Sequence, residues 1–236
     1  MCGSRRLHIA GERGLMRFFS LERLGVGVAA ISEMSDGDCG EWAVRAAFCA
    51  RLGIDAGNLV TGREVHGAEV AIAGEGDRDR CFAATDGLLT DVAGLPLAVF
   101  VADCVPVYLV DPVRRAVGLV HSGREGVRQG ISGTAVRAMV DRLGCHAEDI
   151  HGVIGPSAGP CCYEVSEAMA EQFRGLGLPT EGRRLNLWEG TAFQLSWAGV
   201  PRDQIEVSEI CTICGGRFFS YRREGGSRRN LALICL

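Results

Sequence analysis

The chain lacks the features that would place it in a membrane, on a nucleic acid or in a secretory route. No apolar run reaches the roughly 18 residues that cross a bilayer, so no spanning helix is expected. Residues 1–16, MCGSRRLHIAGERGLM, meet charges before the apolar core of a secretory leader can form, so no signal peptide is expected. No basic block stands out from the 25 Lys and Arg, and the net charge is -4. That balance argues against a nucleic-acid partner, while an anionic small molecule would need a local cluster of arginines. There is no internal repeat and no low-complexity linker. What the chain does have is cysteine: 11 residues, odd in number and scattered. A chain of 236 residues can bury a core without staples. Free thiols in a reducing, cytoplasmic setting are therefore expected. Hydrophobic content of 47% with 23% charged residues is ordinary globular usage.

The most concentrated apolar patterning lies in residues 97–126, LAVFVADCVPVYLVDPVRRAVGLVHSGREG. Two apolar runs there each end on a polar group that strand packing does not require. Residues 97–102 run into Asp103 and Cys104. Residues 116–120 run into His121, followed by the small turn Ser122-Gly123. Asp111-Pro112 separates residues 107–110 from the second run, so the stretch predicts a meander of short strands. A thiol and an imidazole at strand ends could share one site. The alternative is a buried cysteine and a hydrogen-bonded core histidine.

Along the rest of the chain, Arg17-Phe18-Phe19 predicts the start of an edge strand and residues 24–31 a buried strand. Residues 35–40 read as a loop. Residues 41–52 read as a helix with Trp42, Ala46, Cys49 and Ala50 on one face and Gly53 capping it. Residues 58–65 and 69–72 predict two strands around a tight turn at His66-Gly67. Asp86 opens the short segment 85–90. Residues 129–143 predict a helix with Ile131, Ala135, Met139 and Leu143 on one stripe and Gly144 at its end. Residues 150–154 predict a strand. The turn-rich segment 155–160 delivers Cys161, Cys162 and Tyr163, and Ser166 caps a helix through Phe173. Residues 185–198 predict a helix, and 205–210, 218–222 and 231–236 strands. Strands follow one another with few helical crossovers. This favours a single mixed α+β domain over a doubly wound parallel sheet.

Chemistry concentrates on few residues. His66, Cys104 and His121 are two imidazoles and a thiol, a set that suits zinc with a fourth position left for water or substrate. They are far apart in sequence, so spacing cannot establish the set. His8, His146 and His151 read as tail or surface residues. Cys211-x-x-Cys214 is half of a structural zinc signature. Its only candidate second pair, Cys161-Cys162, is adjacent rather than spaced, which counts against a zinc there. A redox role for the same pair lacks a thioredoxin-like surrounding pattern. Cys104 could instead be a nucleophile, with His121 or His66 as base and Asp86 or Asp103 orienting it. Arg217, Arg222, Arg223, Arg228 and Arg229 surround Phe218-Phe219-Ser220-Tyr221. They read either as a clamp for a base and a phosphate or as a solvated strand face.

Taken together, several motifs resemble the YfiH family, also called the laccase-domain or multicopper polyphenol oxidase-like family. They are Val65-His66-Gly67, Thr85-Asp86-Gly87-Leu88-Leu89-Thr90-Asp91, Ala102-Asp103-Cys104-Val105-Pro106-Val107 and Val120-His121-Ser122-Gly123. Ile154-Gly155-Pro156, Gly159-Pro160-Cys161-Cys162-Tyr163-Glu164-Val165, Cys211-Thr212 and Phe218-Phe219-Ser220-Tyr221-Arg222-Arg223 continue them in family order, from about residue 59 to the C-terminus. The resemblance implies one α+β domain over residues 1–236, with packed mixed sheets flanked by helices. It also implies a zinc site on His66, Cys104 and His121.

The resemblance further implies phosphorolysis of purine nucleosides such as adenosine or inosine, with adenosine deamination as an additional activity. Nucleoside and phosphate are then the small-molecule partners. Cys104, His121 and Asp86 would form the catalytic group, and Arg124 and Arg222 would bind substrate. Some family members are instead assigned to editing of peptidoglycan precursors, which corresponds to the cysteine-dependent hydrolase reading. The several His-x-His pairs of a multicopper oxidase are missing here. One departure bears on substrate. Where the family usually reads His-Ala-Gly-Trp-Arg-Gly, this chain has His121-Ser122-Gly123-Arg124-Glu125-Gly126. An acidic residue thus replaces an arginine, which keeps a catalytically altered binding protein as a third reading.

Overall fold

The structure is a computed structural model and describes residues 15–236. His8 lies outside the described residues. The strands are β1 Leu15–Arg17, β2 Val28–Ser32, β3 Thr61–Gly62, β4 Val70–Ile72, β5 Cys81–Phe82, β6 Gly87–Thr90 and β7 Leu97–Val101. They continue as β8 Val105–Asp111, β9 Ala116–Ser122, β10 His151–Ile154, β11 Thr180–Glu181, β12 Arg184–Leu185, β13 Ile205–Val207 and β14 Asn230–Cys235. The helices are α1 Phe19–Glu22, α2 Trp42–Arg51, α3 Arg124–Gln129, α4 Ile131–Leu143, α5 Glu167–Gly175, α6 Leu187–Trp197, α7 Thr212–Gly215 and α8 Tyr221–Glu224. Among the described residues no helix is long and apolar enough to cross a membrane.

Two sheets carry the fold. One is four-stranded in the order β1-β2-β14-β7, and the other is six-stranded in the order β13-β10-β8-β9-β6-β4. The larger sheet is mixed, because β4 pairs parallel with β6 and β10 parallel with β13 while its other pairs are antiparallel. Every residue of β8 and β9 is buried. Strands covered on both faces read as continuous apolar runs rather than alternating ones. The period of two still sorts their side chains. Val105, Val107 and Leu109 face a helical layer that includes Ile131, Ala135 and Met139 of α4. Tyr108, Val110, Val117 and Leu119 face the four-stranded sheet, against Ile31, Val99, Ala232 and Ile234. The Tyr108 hydroxyl crosses that layer and donates to the Ala30 carbonyl at 2.7 Å. On the far side, Leu231 and Leu233 of β14 meet Phe48 and Cys49 of α2. The result is an α+β domain with two packed sheets between helical layers.

Several sequence expectations change. The stretch 97–126 is not one meander: β7 pairs β14 in the small sheet, whereas β8 and β9 form a hairpin in the large one. The short link Ala102–Asp103–Cys104 is where the chain crosses between sheets. The strands beside His66-Gly67 do not pair with each other, since β3 pairs β5 and β4 pairs β6. Residues 218–222 are not a strand. The Asn230 side chain takes both backbone groups of Phe219, accepting its N–H at 3.0 Å and donating to its carbonyl at 3.1 Å. Ser220 then caps α8.

The buried strand near residue 28 starts four residues later than residue 24, because Gly25 turns the chain at φ 90°. The edge strand ends at Arg17, and Phe19 begins a helix. Trp42, expected on the buried face of α2, is 56% exposed and Ala50 is exposed too. The Arg45 guanidinium lies over the Trp42 ring, so the first turn meets that cation rather than the core. The helix expected at 129–143 is α4, with the predicted stripe buried through Met139 and Leu143 only partly covered. Gly130, in the left-handed region, divides it from α3.

Candidate metal centre and cleft

Three segments bring His66, Cys104 and His121 together. Cys104 sits on the link between the sheets, immediately before β8. His121 lies in β9, paired with Pro106. By parity it shares the face of Val117 and Leu119, so it points into the open end of the layer between the sheets. His66 arrives on the loop between β3 and β4. One ligand atom from each of the three lies within 4.8 Å of the others. The two imidazole rings meet edge to face, with centroids 4.9 Å apart at 81°. His121 is buried, Cys104 half-buried and His66 exposed, so the cluster opens outward on the His66 side. Gly123 closes it from below. A Cβ there would stand 3.0 Å from both Cys104 Sγ and His66 Cδ2, closer than side chains normally approach.

Asp86 organises the set. Its carboxylate accepts the backbone N–H groups of Val65, His66 and Gly67 at 3.1, 2.9 and 2.9 Å. The same carboxylate meets His121 Nδ1 at 2.9 Å, and its backbone carbonyl accepts the His121 N–H at 2.7 Å. Burial pushes the Asp86 carboxyl up. The His121 hydrogen bond and the Gly67 and Val65 amides outweigh it and bring the pKa to about 2. An ionised carboxylate only accepts, so His121 Nδ1 carries a proton and Nε2 is the nitrogen left to face Cys104. His66 has φ 59° and Asp103 φ 80°, conformations that cost about 1–3 kcal/mol for residues with side chains. The Asp86 hydrogen bonds hold the first. Asp103 is held by Thr212 Oγ1 at 2.6 Å, the Arg222 N–H at 2.7 Å and the Ala158 N–H at 2.9 Å.

The cluster is electrostatically polarised. Burial raises the Cys104 thiol pKa, but the charge and hydrogen bonds of His121, with His66, bring it down to about 6. His66 is raised, first by its hydrogen bond to Cys104. For His121, burial favours the neutral ring, yet Cys104 and Asp86 together hold it above its ordinary value. Glu64 was not singled out in the sequence. It is pushed up by burial, and its Oε1 accepts the Phe100 N–H at 2.7 Å.

The cluster faces a cleft of about 550 Å³ whose lining includes Arg124, Glu125, Arg222, Tyr163 and Arg229. Arg124 enters at the start of α3, and its buried Nε has the Glu125 carboxylate as its ion-pair partner. Glu125, the departure noted above, does not stand alone in the cleft. Its carboxylate accepts Arg128 Nε at 2.6 Å and lies 3.5 Å from Arg124 Nε, and Arg128 leads the causes that hold it below the usual carboxylate range. The Arg222 guanidinium lies 4.8 Å over the Tyr163 ring and donates to the Glu164 carbonyl at 2.8 Å.

A second cluster departs from the sequence reading. Cys161, Cys162, Cys211 and Cys214 come together, with all four Sγ atoms within 4.8 Å of one another. The adjacency of Cys161 and Cys162 counted against this, but the turn at 159–162 brings both sulfurs to the same side, within 4.8 Å of each other. The Gly159 carbonyl accepts the N–H groups of both Cys162 and Tyr163. A Cβ at Gly159 would meet the Trp188 ring at 2.7 Å and Cys211 Cβ at 3.0 Å, so only glycine lets the turn approach. His146 and His151 join neither cluster.

Two packed sheets bring a His–Cys–His set able to hold a metal ion to the edge of a cleft lined in part by arginines, in an α+β domain. The family model described as multi-copper polyphenol oxidoreductase laccase matches residues 41–236. The purine nucleoside phosphorylase YlmD of Geobacillus stearothermophilus is 39% identical over 191 residues, covering 72% of this chain and 69% of that protein. The crystal structure of YlmD superposes with a TM-score of 0.87 at 32% identity, covering 97% of this chain and 98% of YlmD. The hypothetical protein YfiH of Bacillus licheniformis superposes with a TM-score of 0.88 at 30% identity, over 97% and 98% of the two chains. The chain belongs to the YfiH family.

Proposed function

We propose that this protein is a purine nucleoside phosphorylase that works at His66, Cys104 and His121, with zinc as the ion they hold. The observation that carries the reading is the convergence of those three ligand atoms, from three separate segments, beside Arg124 and Arg222. Relatives named as purine nucleoside phosphorylases support it. Two imidazoles and a thiolate with one open side fit a three-ligand catalytic zinc better than a closed structural site. When bound, zinc supplies a Lewis acid that polarises a substrate oxygen or acidifies a water.

The chain's own residues do the rest. Asp86 fixes the tautomer and direction of His121 and the turn that presents His66. Arg124, at the cleft end of α3, offers guanidinium donors to the phosphate. Arg222 stacked on Tyr163 makes a flat platform against which a purine can lie. In phosphorolysis a phosphate oxygen bonds to C1′ of the ribose as the C1′–N9 bond breaks. The electron pair leaves with the purine, which takes up a proton. Adenosine and inosine are the substrates to test first, in a cytoplasmic setting. Chromatography of adenosine or inosine incubated with zinc-loaded protein should show phosphate-dependent release of adenine or hypoxanthine. Absence of both base release and ammonia release, with and without phosphate, overturns the reading.

One observation favours a second reading. A thiol with a pKa of about 6 beside the His121–Asp86 pair is also the arrangement of an activated cysteine nucleophile. In that case the protein is a cysteine-dependent hydrolase of cell-wall precursors. Activity that survives complete zinc removal but is abolished in Cys104→Ser would select it.

A further inference from the structure

The four-cysteine cluster is not used by the proposed reaction and stands apart from its ligands. We propose that Cys161, Cys162, Cys211 and Cys214 form a second, structural metal site that takes a single zinc ion with four thiolate ligands. The geometry is that of a tetrahedral cage. With Zn–S near 2.3 Å, the edge of an S4 tetrahedron is about 3.8 Å. Cys161 Sγ and Cys214 Sγ are 3.8 Å apart, and all four sulfurs lie within 4.8 Å of one another. A disulfide requires about 2.05 Å, and all four thiols are free. Cys211 is the N-cap of the short helix α7 and Cys214 lies within it, and Cys161-Cys162 lies on the turn opposite. The two segments are joined by backbone bonds between Thr212 N–H and the Ser157 carbonyl and between Ser157 N–H and the Ile210 carbonyl, at 2.9 and 3.1 Å. The Gly159 N–H donates to Cys211 Sγ at 3.3 Å, an outer-shell bond of the kind that orients metal-binding thiolates. Binding releases the four thiol protons and leaves a net double negative charge. The Arg223 guanidinium stands beside it, donating to the Thr212 and Ile213 carbonyls at 2.6 and 3.2 Å.

The site lies where such a staple has an effect. Thr212, between the two ligands of α7, holds Asp103, and Asp103 precedes Cys104 and accepts the Arg222 N–H. Tyr163 directly follows Cys162. Metal at the four sulfurs therefore fixes the loops that carry Tyr163 and Arg222 into the cleft.

Metal content of the full chain purified under reducing conditions, with X-ray absorption at the zinc edge, tests the site. The expected result is one equivalent bound by four sulfurs at about 2.3 Å, in addition to whatever His66, Cys104 and His121 hold. Cys161→Ser/Cys214→Ser, at two exposed positions, should lose that equivalent and the strong thiolate-to-metal absorption of the cobalt-substituted protein. His66→Ala should keep both. If the proposed catalytic site binds nothing, His66→Ala leaves the total unchanged while the cysteine variant still loses its equivalent, so the two readings fail separately. An unchanged metal content in the cysteine variant overturns the site. So does a zinc-edge spectrum of the wild-type chain whose sulfur contribution is no larger than the single thiolate of Cys104 supplies, a readout that does not depend on the variant folding. Recovery of these cysteines as disulfides from the chain purified without reductant also overturns it.

Discussion

The two cysteine-bearing clusters solve different problems with similar atoms. The His66–Cys104–His121 set is assembled from strand ends and one turn, with a carboxylate behind it and an open side toward the cleft. The four-cysteine set is assembled from one turn and the start of α7, with all four positions taken by sulfur and a backbone amide donating to Cys211. A mixed nitrogen and sulfur set with an open position suits chemistry, and an all-thiolate set with none suits architecture. The thiols differ accordingly. Cys104 has two imidazoles to stabilise its charge and a pKa brought to about 6, whereas Cys49, on the buried face of α2 without such partners, is pushed up to about 12.

The comparison breaks most sharply at the ligands. Cys104→Ser should lower nucleoside phosphorolysis by about three orders of magnitude, the loss of several kcal/mol of transition-state stabilisation, and cost one bound metal. Assay of base release with metal analysis checks both. In the metal-free protein Cys104 should be alkylated by iodoacetamide with a half-point near pH 6, its thiolate prevailing above that pH and lost below it. Modification of Cys49 should lag by an order of magnitude or more at neutral pH, as peptide mass mapping would show.

Asp86→Asn should weaken metal affinity about 10- to 100-fold. An amide cannot accept from all four donors, so stability should also fall by about 1–3 kcal/mol, read by denaturant titration. The sign with pH follows from its depressed pKa. The Asp86 contribution is fully present above the ordinary carboxylate range and is lost as pH falls toward about 2. Cys161→Ser/Cys214→Ser should lower the thermal midpoint by several degrees and raise KM more than it lowers kcat, because the loops and not the ligands are loosened. Glu125→Gln is the mildest change. Its partners Arg128 and Arg124 are partly solvated and such pairs contribute about 0–1 kcal/mol, so the KM for phosphate should move less than about fivefold.

The sequence was most informative where a residue type has one dominant use. Ile131, Ala135 and Met139 marked the buried stripe of α4, Gly144 its end, and Ser166 the cap of α5. It misled where long-range partners override local pattern. Residues 218–222 alternate like a strand, yet Asn230 from β14 takes the Phe219 backbone. Residues 97–126 look like one meander, yet β7 finds β14, more than a hundred residues away. Glu64 and the Arg222–Tyr163 stack left no local signal, because burial and stacking are properties of the packed chain.

By itself, the chain's sequence determined the class of fold and the residue types able to ligate, since period-two runs, caps and glycines act over a few residues. Only the tertiary structure decided that His66, Cys104 and His121 meet, that Asp86 stands behind them, and that two adjacent cysteines complete a cage with Cys211 and Cys214. Those outcomes depend on which strands pair and how two sheets stack. Pairing and stacking are set by burial summed over the whole chain.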